Sequence, residues 1–109
     1  MAELSPKALS NRLEIERFLK DNSGRLRDYG VARIGLFGSF LHGTQTSASD
    51  IDLLVEFLPG EKSFDNFMGL AFFLEDHAGR RVELVTPESL CERIGRHIRE
   101  EVKFVDLSA

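Results

Sequence analysis

Residues 35–57, GLFGSFLHGTQTSASDIDLLVEF, hold two clusters of the residue types that chemistry uses: Gly38-Ser39 at the end of one apolar run, and Asp50-Ile51-Asp52 at the start of the next. A strand that ends in Gly-Ser and turns into a short helix presents backbone N–H groups and a hydroxyl to an anion, which suits phosphates. Gly38 lets the backbone come close, and Gly43 lets the chain turn away after one helical turn. Asp50 and Asp52 stand at i and i+2 of an extended segment. Both carboxylates therefore point to one face, while Ile51 points to the other and anchors the strand. Mg²⁺ takes oxygen ligands at about 2.0–2.1 Å and shares its shell between one or two carboxylates, waters and substrate phosphates, so this pair is half of a magnesium site. A phosphate cradle beside a carboxylate pair is the pattern of a nucleoside-triphosphate site.

These groups need strands and helices to hold them. Ser5-Pro6 reads as a helix start, and Leu9, Leu13, Phe18 and Leu26 mark an amphipathic helical region that weakens at "DNSG" and ends near Gly30. "VARIGLF" reads as a short buried strand, and "DIDLLVEF" as a second that stops at Pro59-Gly60. Ser63 caps a helix in which Phe64, Phe67, Met68, Ala71 and Leu74 fall at helical spacing, with Gly79 as its stop. Leu70 and Phe73 widen that stripe, either as a broader buried face or as an exposed interface. "RRVELV" is a third strand, Thr86-Pro87 opens a last helix through about Glu101, and "VKFV" adds a short strand or an extended tail. Arg93, Arg96, His97 and Arg99 on that helix, interleaved with Glu92, Glu100 and Glu101, read as a solvated face. The order α-β-β-α-β-α predicts a small mixed β-sheet with helices packed on it, an α+β (or α/β) fold in which residues 1–109 form one domain.

Composition narrows the function. An apolar fraction of 42% with 29% charged residues is that of a soluble globular protein, and no apolar run nears the ~20 residues of a membrane span. The N-terminus lacks the pattern of a signal peptide and the lone Cys91 cannot form an internal disulfide, so a cytoplasmic location is expected. Residues 34–76 hold only Lys62 against seven Asp and Glu, an acidic centre that repels a phosphate backbone and attracts divalent cations. Direct nucleic-acid binding there is not expected. Glu83 interrupts the apolar run Val82, Leu84, Val85. A carboxylate there is costly unless it meets a cation or solvent. Glu83 is then either a third group facing the metal, as ligand or general base, or a solvated edge residue paired with Arg80 or Arg81. No His or Cys pair has transition-metal spacing.

"GSFLHG", five residues and "SDIDLLV" resemble the motif of the DNA-polymerase-β-like nucleotidyltransferases. The short chain, "YGVARIGLFGS" and "RRVELVTPESL" are similar to the MNT group of minimal nucleotidyltransferases over roughly residues 24–101. The resemblance implies Mg²⁺-dependent transfer of AMP from ATP. Gly38, Ser39, Gly43 and Ser49 would belong to the nucleotide site, and Asp50 and Asp52 would hold the metals. It also implies a partner, a HEPN-domain ribonuclease toxin that the antitoxin silences by adenylylating a tyrosine, and hence a hetero-oligomer. Two positions depart from the family. Leu41-His42 replaces Ala-Arg and removes a fixed positive charge near the phosphates, which His42 could restore when protonated. Glu83 stands where Asp is usual, a displacement of about one bond length where errors near 1 Å can cost on the order of 10²-fold in rate. A degenerate module that neutralises the same partner by binding alone is the alternative. A transferase acting on a small molecule is disfavoured, because such enzymes usually add a second domain for the acceptor.

Overall fold

The computed structural model describes residues 8–107. The chain forms α1 (Arg12–Asp21), α2 (Ser23–Asp28), β1 (Val31–Phe37), α3 (Ser39–His42), β2 (Ile51–Phe57), α4 (Phe64–Ala78), β3 (Val82–Val85), a 3₁₀ turn (Pro87–Ser89), α5 (Glu92–Glu101) and β4 (Lys103–Phe104). The expected helix start at Ser5-Pro6 lies outside the described residues, and residues 8–11 are not helical. Asn11 is the effective cap: its side-chain oxygen accepts from the Glu14 amide at 2.9 Å, while Glu14 accepts from the Ser10 N–H at 2.8 Å. This reciprocal pairing satisfies amides that would otherwise be orphaned. The weakness at "DNSG" becomes a break, where Asn22 separates α1 from α2 and turns its amide back onto the Phe18 carbonyl.

The last helix begins later than its Thr86-Pro87 signal predicts. The Ser89 hydroxyl accepts from the Thr86 N–H at 3.2 Å and donates to the Thr86 carbonyl at 2.8 Å, closing a local turn. Such side-chain bonding competes with helix propagation, and Leu90 and Cys91 are extended before α5 starts.

The four strands form one mixed sheet in the order β3-β2-β1-β4. β1 is antiparallel to both β2 and β4, whereas β2 and β3 are parallel and are joined through α4. Ile34 opposes Val55 and Leu36 opposes Leu53, so these four side chains share one face. With Ile51 they pack against Ile15, Leu19 and Leu26 of α1 and α2 and Leu70, Phe73 and Leu74 of α4 in the main core. The other face carries Gly35, Phe37, Asp52 and Leu54. A Cβ at Gly35 would meet Val102 and Phe104, so the chain leaving α5 lies directly on the sheet there.

Helix α4 buries a different stripe from the one its leading aromatics predict. Leu70, Phe73, Leu74 and Ala78 are buried, whereas Phe64 is 78% and Phe72 64% exposed. Leu70 and Phe73 therefore belong to the broad buried face, and the interface reading of those two residues is corrected. Leu13 of α1 is likewise exposed, not core. Burial and cavity energetics predict that Phe73→Ala costs about 3 kcal/mol of unfolding free energy, while Phe72→Ala changes it by less than about 0.5 kcal/mol. Chemical denaturation of the two variants measures this, and equal losses would contradict the orientation of α4.

Candidate active site

The site stands on the sheet face opposite the main core. Phe37 pairs with Asp52 across β1 and β2, and Asp52 pairs with Glu83 across β2 and β3. Residues at paired positions point to the same side, so Asp52 and Glu83 are neighbours on one face, with Asp50 two residues upstream. Gly38 follows Phe37 immediately and has φ 78° and ψ −155°, a conformation reserved for glycine. A Cβ at Gly38 would overlap the Asp52 carboxylate. The glycine thus serves the turn and the close approach to the Asp52 carboxylate together.

Short α3 begins at Ser39 and ends at Gly43, which is left-handed (φ 74°), and the Thr44 N–H donates to the Ser39 carbonyl at 3.0 Å. Phe40, fully buried, pins this turn to the core. Space is open around Gly43, so its role is conformational. Ser49 closes the following loop, its hydroxyl accepting from the Thr46 N–H at 2.8 Å.

Arg80 holds that loop in place. Its guanidinium donates to the carbonyls of Leu9 (2.9 Å), Ser47 (3.1 Å) and Ser49 (3.1 Å) and lies over the Phe40 ring. The Ile51 N–H donates to the Arg81 carbonyl at 2.9 Å. Asp50 is therefore delivered between two anchored residues. Arg80 is committed to these carbonyls, and Glu83 is exposed on its edge strand.

Glu101, at the end of α5, completes the constellation. One carboxylate oxygen accepts from the Gly38 N–H at 3.1 Å and the other meets His42 Nε2 at 3.0 Å, with His97 Nε2 at 3.7 Å. Burial pushes the Glu101 carboxyl up, but the bonds from His42 and the Gly38 amide, with the histidine charges, outweigh it and hold the group below the usual carboxylate range. Sequence reasoning placed Glu101 on a solvated face. Its hydrogen-bond partners His42 and Gly38 lie 59 and 63 residues away along the chain, and no local spacing signals them.

Asp52 carries the electrostatic cost of this arrangement. Desolvation, then the charges of Glu83, Asp50 and Glu101, push its carboxyl up to about 6. Among the described residues no three metal-ligating side chains are yet drawn around one point. The donor set is all carboxylate oxygen, the chemistry that suits a hard divalent cation. Asp50, Asp52 and Glu83 are the residues that would hold it.

A carboxyl that binds its proton more tightly in the folded than in the unfolded chain, where 3.8 is usual, favours folding at low pH. That contribution is lost as pH rises through roughly 4 to 6, above which charged Asp52 is destabilising. In metal-free buffer at pH 7.5, Asp52→Asn is expected to raise stability by about 1 kcal/mol, well below the full shift because the side chain is only half-buried and screened. The gain should vanish below pH 4 in paired denaturation curves. A less stable variant at pH 7.5 would show that Asp52 is not held under repulsion.

The sequence and the fold match known proteins. Residues 13–105 fit the family model described as the nucleotidyltransferase domain. The chain is 39% identical over 95 residues to the protein adenylyltransferase MntA of Thermococcus cleftensis, an alignment covering 84% of this chain and 93% of the relative. It superposes on a solved structure named as a minimal nucleotidyltransferase with a TM-score of 0.74 at 28% identity, covering 89% of this chain and 98% of the other. A toxin–antitoxin structure with AMP-PNP gives a TM-score of 0.60 at 27% identity, covering 78% and 70% of the two chains. The chain belongs to the nucleotidyltransferase domain family and is an enzyme of the minimal nucleotidyltransferase kind.

Proposed function

We propose that residues 1–109 form one catalytic domain that acts as an antitoxin, transferring AMP from ATP to a tyrosine of a partner HEPN-domain ribonuclease in a Mg²⁺-dependent reaction. The observation that carries this reading is the close approach of Gly38, which leaves no room for a Cβ, to the Asp52 carboxylate, with Glu83 in register beside it. A relative named as a protein adenylyltransferase and a neighbour solved as a toxin–antitoxin complex with a nucleotide analogue support the donor and the protein acceptor. The acidic centre argues against RNA as acceptor.

Each residue then has a part. The Gly38 amide and the Ser39 turn seat phosphate oxygens, and Gly43 and Ser49 shape the loop that brings Asp50 to the site. A bound Mg²⁺ would neutralise phosphate charge and polarise the α-phosphate. The acceptor hydroxyl forms a bond to the α-phosphorus as the bond to pyrophosphate breaks, and its proton passes to a carboxylate of this face. Glu83 is the exposed carboxylate of the group, on the edge strand, and is open to an incoming hydroxyl. His42 stands beside the phosphate-facing amide and donates to whichever anion occupies it.

The test is to incubate the chain with ATP, Mg²⁺ and the partner ribonuclease and then separate the two proteins. The partner should stay inhibited and gain the mass of one or more adenylyl groups, and the Asp50→Asn/Asp52→Asn double variant should produce neither effect. Recovery of full nuclease activity at unchanged mass, with the double variant still protective while bound, would establish neutralisation by binding alone. Glu83→Asp should keep or raise the transfer rate and Glu83→Gln should reduce it by about 10² or more. Equal rates in the two variants would return Glu83 to the role of a solvated edge residue.

A further inference from the structure

We propose that Glu101 determines which phosphates the site accepts, admitting a metal-loaded triphosphate and excluding phosphates that arrive without a cation. The inference rests on the nucleotide site proposed above. The Glu101 carboxylate lies where a phosphate oxygen would, with one oxygen on the Gly38 N–H and the other on His42 Nε2. Its side chain is 19% exposed, so it is folded into the site and does not trail in solvent. Helix stability does not account for it, because the C-terminal end of a helix carries negative partial charge and favours cations. Glu101 is the last residue of α5.

The consequence follows from charge. Asp52 and Glu83 are paired across β2 and β3, Asp50 is two residues upstream of Asp52, and Gly38, whose amide Glu101 takes, lies directly against the Asp52 carboxylate, so these carboxylates share one face. A phosphate without metal must displace a bound carboxylate from its two donors and then sit among like charges, opposed by His42 and His97. A triphosphate carrying Mg²⁺ brings positive charge for the displaced and resident carboxylates and meets a smaller barrier. Glu101 thereby imposes selectivity for the loaded donor over free ATP, AMP or inorganic phosphate.

Equilibrium binding of a fluorescent ATP analogue, measured with Mg²⁺ and with EDTA, tests this without relying on turnover. Glu101→Gln, which keeps the shape and removes the charge, should tighten metal-free binding by about tenfold or more and Mg²⁺-dependent binding by less, so that the ratio of the two dissociation constants shrinks. Glu101→Asp keeps the charge and should stay closer to the wild-type ratio. Melting temperatures near wild type would show that both variants fold. An unchanged ratio in Glu101→Gln overturns the inference, as does weaker Mg²⁺-dependent binding, which would make Glu101 a metal ligand. If the wild type binds no MgATP, the nucleotide site fails and this inference fails with it.

Discussion

The pairing of β1 with β2 is the constraint on which the site depends. Phe37 opposes Asp52, so the residue after Phe37 must meet the Asp52 carboxylate, and only glycine fits there. A slip of one residue would turn Asp52 toward the apolar core and Leu53 toward the site. The same register seats Leu36 on Leu53 and Ile34 on Val55, all fully or almost fully buried. Burial of that apolar set is what holds the polar set in position, since the two alternate along the same strands.

The active face is costly to build. Several carboxylates crowd one side of a small sheet, and the most withdrawn of them is driven toward protonation at mildly acid pH. Part of the cost is offset locally, because Glu101 takes a backbone amide and an imidazole that would otherwise lack an anion. The remainder persists as repulsion on Asp52 from its acidic neighbours. A surface concavity of about 600 Å³ around Arg25, Tyr29, Phe72, Phe73 and His77 lies on the helical side of the sheet, away from these carboxylates. Depth is thus a poor guide to the chemistry in this domain, and charge is the better one.

Rigidity reaches the site from a few distant anchors. Phe40 buries the Gly-Ser turn, and Arg80 ties the loop before Asp50 to the segment before α1. A planar guanidinium can satisfy three carbonyls from two separate parts of the chain at once, which a lysine could not do with the same geometry. The edge position of β3 leaves Glu83 accessible while its inner side is fixed by pairing with β2. The site therefore combines one open carboxylate with others held in place.

Much of this was legible in the residues themselves. Gly38-Ser39 and Asp50-Ile51-Asp52 announce their geometry because backbone conformation at glycine and alternation along a strand are local properties. The strands, the α4 cap at Ser63 and the stop at Gly79 were readable for the same reason. Where two local signals compete, reading from sequence falters: Asn11 begins α1, and the Thr86–Ser89 turn interrupts what looked like a helix start. The stripe buried by α4 depended on the sheet beneath it, since Phe64 and Phe72 are as apolar as Phe73 and only packing distinguishes them. Glu101 and Arg80 were readable only in three dimensions. Their partners lie from 31 to 71 residues away, and no periodicity in a chain encodes which distant amide a carboxylate will meet or which carbonyls a guanidinium will gather. Sequence alone determined the chemistry available at the site, because that is a matter of residue type and local backbone; tertiary structure decided which charges confront one another, because that requires the sheet to be assembled.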